Sequence, residues 1–235
     1  MDHHPMKRRR RLLTGLATAA VAAAAGLALA GFSGGSAEHA SAHDHPSPVA
    51  ASSKATGKAL RFHDQMRKLW EDHIVWTRLT IVSFAAGSPD LQPTLDRLLQ
   101  NQEDIGDAIK PFYGRKAAAK LTALLKEHIN GAVDVLVAAK AADQQAFEQA
   151  NQAWYANGRE IADFLHRANP RFWRQHMMRS MMRTHLDQTL AEGAHRLAGD
   201  FAADIRDYEA IHRHILRMAD ALSGGIVAEF PRRFM

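Results

Sequence analysis

The sequence predicts an all-α bundle, and three observations carry that reading: apolar residues recur three and four apart from Lys58 onward, no segment sustains strand alternation, and turn formers punctuate the chain at regular intervals. The breakers are Gly87-Ser88-Pro89, Lys110-Pro111 through Gly114, Asp143 after an alanine-rich stretch, Asn169-Pro170, Gly199-Asp200 and Gly224-Gly225. They divide residues 58–235 into about six long antiparallel helices, near 59–86, 90–110, 115–141, 144–168, 173–198 and 201–228.

Upstream of this domain the composition changes twice. Lys7-Arg8-Arg9-Arg10-Arg11 precedes an uncharged Ala/Leu-rich run from Leu12 to Ala30, the order of a secretory signal. The run approaches the length of a membrane span, but its Ala and Gly content makes it weakly hydrophobic, so a cleaved leader over residues 1–42 is expected and no stable span after processing. Arg9-Arg10-Arg11-Leu12-Leu13 also fits the twin-arginine pattern, which leaves the folded-export and general secretion routes both open. Cleavage after Ala37 or after Ala40-Ser41-Ala42 would satisfy a small-x-small site. Residues 43–57, rich in Ala, Ser and Pro, are too poor in large apolar side chains to pack and read as a disordered tail. The expected location is extracytoplasmic, in the periplasm or cell-wall space.

Removing the leader also changes the charge. The whole chain has a formal charge of +5, but residues 43–235 carry 25 Lys/Arg against 23 Asp/Glu. No basic stripe remains to argue for nucleic acid. With no cysteine, disulfides and thiolate metal sites are excluded, and any metal must be held by His, carboxylate or Met.

An internal repeat organises the domain. Glu71-Asp72-His73-Ile74, Lys126-Glu127-His128-Ile129 and Arg183-Thr184-His185-Leu186 are spaced by 55 and 57 residues. Each window reaches a matching segment 32 or 33 residues on: Ile105-Gly106-Asp107, Ile161-Ala162-Asp163 and Met218-Ala219-Asp220. Three repeated helical hairpins would follow.

Steps of three and four place each histidine on an apolar seam: Trp70, His73, Thr77, Thr80, Phe84; then Leu121, Leu124, His128, Gly131, Val135; then Met178, Met181, His185, Gln188. The returning helices have seams of Leu98, Asn101, Ile105, Ile109; then Trp154, Asn157, Ile161, Leu165; then Ile211, His214, Met218, Leu222. In an antiparallel hairpin, residues equidistant from the turn share a height, which sets His73 opposite position 101 or 102, His128 near Asn157 and His185 near His214. A buried layer of His73, Asn101, His128, Asn157, His185 and His214 is the expected result.

Buried imidazoles must be hydrogen-bonded or ligate something. One reading is a His–Asn layer that fixes helix register. The other is a copper or zinc site on His73, His128, His185 and His214, with Asn101 and Asn157 orienting the rings from behind. Haem held by two of the histidines is a weaker third. A di-iron centre is disfavoured because the layer lacks carboxylates. The repeated Asp107, Asp163 and Asp220 fall about 200° from the seam and read as solvated or inter-helix groups. Met177-Met178 and Met181-Met182 read as core filling before thioether ligands, and His212 as a surface residue. Separately, cleavage after Ala42 would expose His43-Asp44-His45, whose α-amine, amides and His45 imidazole form a square-planar Cu²⁺ or Ni²⁺ chelate; otherwise His43 and His45 belong to a polar tail.

Certain runs, Leu69-Trp70-Glu71-Asp72-His73, Trp76-Thr77-Arg78, Asn101-Gln102, Asp104 through Gly114, Trp154-Tyr155-Ala156-Asn157 and Phe230-Pro231, resemble a family of exported bacterial all-helical proteins without a settled activity, over about residues 60–234. Some members carry a glycosyltransferase label. The resemblance implies export and a helical fold, and brings no catalytic assignment; the label itself implies an α/β nucleotide-sugar fold, which this strand-free pattern lacks. There is no Gly-x-Ser-x-Gly, no His-Glu-x-x-His, no phosphate loop and no cysteine nucleophile, so no enzyme class is assigned. The leading functional class is an extracytoplasmic metal-binding or metal-handling bundle. The alternative is a structural or interaction module of the cell envelope, with an unknown protein partner.

Overall fold

A computed structural model describes residues 57–235; the leader and the His43 and His45 tail lie outside the described residues. The described chain is all-α, in the order α1 (Gly57–Ala86), α2 (Leu91–Lys140), α3 (Gln144–Ala168), α4 (Gln175–Ala198) and α5 (Phe201–Glu229), with a closing 3₁₀ turn over Pro231–Arg233. No strand occurs among the described residues.

Turn chemistry explains most boundaries. At Gly87 the chain reverses with Ser88 N–H donating to Ser83 C=O at 2.9 Å. Asp143 and Asp200 cap α3 and α5, their carboxylates accepting the N–H of Ala146 and Ala203 at 3.0 Å each. Asn169 ends α3, its N–H still bonded to Leu165 C=O while its backbone has left the helix.

Two boundaries differ from the sequence expectation. The segments near 90–110 and 115–141 form a single element, α2, so five helical elements stand where six were expected, yet the chain folds back within it. Gly114, with a non-helical φ of 81° and ψ of 169°, reverses the direction, and the two halves lie antiparallel, Thr122 reaching the Gln102 carbonyl at 3.5 Å and Lys126 meeting Glu103. Only glycine adopts such a backbone without steric cost, and Pro111 just before it withholds one helical donor. Gly224-Gly225 does not break α5, which continues to Glu229. Close packing is the reason for glycine there: a Cβ on Gly225 would overlap the Trp173 indole, whose Nε1 donates to Ala221 C=O at 3.2 Å.

The helices close into a ring, α1 packing on α2 and α5, α2 on α3, α3 on α4 and α4 on α5. The core runs along the axis, with Trp70, Ile74, Ile105, Leu124, Ile161, Leu186, Ile211 and Ile215 all at most 4% exposed. α1, the part of α2 after Gly114, and α4 run in the same sense: Lys140 reaches the Phe84 carbonyl at 2.8 Å, and Arg78 reaches Glu192 at 2.9 Å. At the opposite end Phe62, Phe112, Phe230 and Phe234 stack together, and Lys58 Nζ donates to the Met235 carbonyl at 2.6 Å. No described helix is long and apolar enough to cross a membrane.

Candidate functional site

Three imidazoles meet at mid-height on the bundle axis. The seams of α1, α2 and α4 turn His73, His128 and His185 inward, and each is only 2–3% exposed. The ring centroid of His185 lies 5.6 Å from that of His73 and 5.8 Å from that of His128. Indoles flank the group: Trp154 stacks on His128 at 5.3 Å, and Trp70 meets His73 edge-on at 5.7 Å.

Hydrogen bonds set the rings' orientation. Asn157 Nδ2 donates to the Leu124 carbonyl at 3.2 Å, so its Oδ1 is left to accept from His128 Nδ1–H at 3.1 Å. This tautomer keeps the lone pair of His128 on Nε2. His73 is served instead by Gln102, whose Nε2 lies 3.3 Å from His73 Nδ1 while donating to the Leu98 carbonyl at 2.8 Å and to Asn101 Oδ1 at 3.2 Å. Asn101 is fully buried but does not touch the ring; its Nδ2 donates to the Leu69 carbonyl at 3.0 Å. His185 Nδ1 and Gln102 Oε1 are buried with no hydrogen-bond partner.

Burial holds all three rings neutral. Desolvation is the largest cause in each case, lowering His73 to about 3, His128 to about 4 and His185 well below its ordinary 6.5. Mutual repulsion reinforces this for His73 and His185, while the Gln102 and Asn157 contacts oppose it for His73 and His128. His214 is buried too, and desolvation again lowers its pKa. Its Nε2–H donates to the Met181 carbonyl at 2.9 Å, and it is near enough to His185 to act on that ring electrostatically. Among the described residues no group of three or more His, Asp or Glu has its donor atoms already placed to hold a metal ion.

The other singled-out residues have structural partners. Asp163 accepts from Arg179 at 2.7 Å and Gln175 at 3.0 Å, Asp220 from Arg67 at 2.6 Å, and Asp107 pairs with Lys110 at 3.3 Å. Met178 and Met182 are buried in the core, with Met177 and Met181 packed against it. His212 is half-buried and contacts Glu71 at 2.8 Å.

A second polar cluster, missed in the sequence reading, sits two turns above the triad. Asp204, fully buried, accepts from both terminal nitrogens of Arg78 and from Arg196 at 3.2 Å, and Arg78 also donates to Glu192 at 2.9 Å. The guanidinium of Arg78 lies 5.2 Å from the Tyr208 ring centroid. Stepping three and four along the α4 seam past Gln188 reaches Glu192, and stepping one heptad back from Ile211 reaches Asp204, so the signal was present in the periodicity. Desolvation raises Glu192 to about 7 despite Arg78. A carboxyl raised in the folded state contributes stability that is fully present below its unfolded value near 4.5 and is lost as pH rises through about 7. Glu192→Gln should therefore gain stability relative to wild type as pH rises from 5 to 8 in urea titrations; parallel curves for the two proteins would contradict this.

No family model matches the chain, and neither does a curated protein or a solved structure.

Proposed function

We propose that the chain is an exported metal-binding or metal-handling bundle that takes copper or zinc on the imidazoles of its buried layer, His73, His128 and His185 first, with His214 as a fourth donor. The observation that carries this reading is the set of three neutral rings in contact inside an apolar core, one of which, His185, has a buried Nδ1 without a hydrogen-bond partner. Two imidazoles sharing one zinc ion at about 2.0–2.1 Å would set their centroids roughly 5–5.5 Å apart. The separations of 5.6 and 5.8 Å fall within side-chain rotation of that arrangement. Asn157, by fixing the proton of His128 on Nδ1, leaves Nε2 free to ligate. The three-hairpin repeat belongs to the same reading, since it would supply one inward imidazole per unit. The basic leader and the resemblance to exported helical proteins support an extracytoplasmic location, and the glycosyltransferase label is set aside.

A second reading has a specific observation in its favour. Gln102 turns its amide nitrogen, not its oxygen, toward His73 Nδ1, and shares its two N–H protons among that ring, the Leu98 carbonyl and Asn101 Oδ1. That pattern suits a layer whose role is to fix helix register in an envelope module. Elemental analysis separates the two: the protein recovered from its own export pathway, with His43 and His45 changed to alanine, is expected to carry close to one copper or zinc per chain. Metal-free protein would favour the register layer.

A further inference from the structure

One turn beyond the triad the helices leave a small apolar gap, open in part to the surface. On the three helices that supply His73, His128 and His185, the residues three positions before each histidine are large: Trp70, Leu125 and Met182. The residues four positions after each are small: Thr77, Ala132 and Thr189. A cavity of about 40 Å³ occupies the space this leaves, bounded by Thr77, Leu98, Ile129, Ala132, Trp154 and Thr189 among others. The lining extends from one to two turns beyond the histidines, to Ile81 and Leu136, and Trp154, stacked on His128, is the residue that borders both the rings and the void.

The walls offer little to a polar ligand. The three threonines of the lining donate to carbonyls of their own helix, Thr77 to His73 at 2.7 Å, Thr80 to Trp76 at 2.8 Å and Thr189 to His185 at 2.9 Å. Everything else around the space is aliphatic, apart from the Trp154 indole, whose N–H is committed to the His128 carbonyl at 3.1 Å. A water molecule needs two to four polar partners, and a void without them stays dry and takes apolar guests such as xenon. The volume exceeds the roughly 10–15 Å³ that one water occupies by the same measure. It suits a guest of two or three heavy atoms.

We propose that this cavity is a binding site for a small uncharged molecule of diatomic size, held one turn beyond the imidazole triad by Thr77, Ile129, Trp154 and Thr189 and not by the rings themselves. The site is built by side-chain size on three helices and exists in the metal-free protein. The proposal therefore goes beyond the metal reading and does not depend on it.

The test uses the full chain, metal-free, with methyl resonances observed by NMR under xenon and then under dioxygen pressure. Xenon is expected to give saturable shifts at the methyls of Ile129, Leu98 and Val135. Dioxygen is expected to broaden the same methyls severalfold more than those of Ile215 and Ile226, which are equally buried but do not line the cavity. Ala132→Leu, which fills the space, should weaken the xenon response at least tenfold, and Leu136→Ala, which enlarges it, should strengthen the response; the second variant keeps the test decisive if the first fails to fold. Uniform dioxygen broadening across all buried methyls, xenon shifts elsewhere, or an ordered water in the cavity would overturn the proposal. None of these outcomes bears on metal content.

Discussion

Lowering the pH from 7 to 5 is expected to destabilise the domain strongly, with the three core histidines as the main cause. Each has a folded pKa depressed below its unfolded value of 6.5, to about 3 for His73, about 4 for His128 and well below 6.5 for His185. A base depressed in this way contributes stability that is present above the unfolded value and is lost as pH falls toward the folded one. Near pH 5 the unfolded chain would hold almost three more protons on these groups than the folded chain does, a slope of about 4 kcal/mol per pH unit. Glu192 works in the opposite sense and removes up to one proton from that difference. Integrated from pH 7 to 5, the histidines remove roughly 5–6 kcal/mol and Glu192 returns about 2, a net loss of about 3–4 kcal/mol that is a large share of a domain's total stability of about 5–15 kcal/mol. Urea unfolding at pH 7, 6 and 5 measures the slope, and His185→Gln should reduce it by close to one proton. Equal stability at pH 7 and 5 would show that the rings are not held neutral by burial.

The second large effect is expected at Asp204. Its carboxylate neutralises Arg78 and Arg196 from a fully buried position, and removing it leaves Arg78 with Glu192 alone and takes from Arg196 the carboxylate it bonds. Breaking a buried ion pair from one side costs about 3–5 kcal/mol, because the remaining charge is stranded. Asp204→Ala should lower stability by about that amount at pH 7, and Asp204→Asn, which keeps a hydrogen-bond acceptor, by less. A change under about 1 kcal/mol would mean that Arg78 and Arg196 find solvent without difficulty.

Helical periodicity made the class of fold and the inward turn of His73, His128 and His185 legible, because a seam of threes and fours needs no tertiary knowledge. The helix boundaries at Asp143 and Gly199-Asp200 were legible from their turn-forming residues, though their capping bonds were not. What was not legible depended on contacts between distant segments. Gly225 has the composition of a helix end, and only the Trp173 indole pressed against it explains a glycine inside α5. Gln102 rather than Asn101 meets His73, a difference of one residue and so about 100° of helix, finer than counting from a turn can resolve. Arg78, Glu192 and Asp204 come from three helices, and nothing local to any one of them announces the other two.

The central claim, that the histidine layer holds a metal ion, is tested most directly by thermal unfolding of the chain carrying His43→Ala and His45→Ala, compared with the same chain carrying His128→Ala, each with and without Zn²⁺ or Cu²⁺. Binding to the folded state alone raises stability by about 2.7 kcal/mol when free metal is 100 times the Kd, and His128→Ala should abolish most of that rise. The account predicts a metal-dependent increase in Tm for the His128 protein and none for the variant. A Tm that ignores metal in both proteins, with His128→Ala less stable by the same amount under every condition, would contradict the claim and leave the layer as a device for helix register.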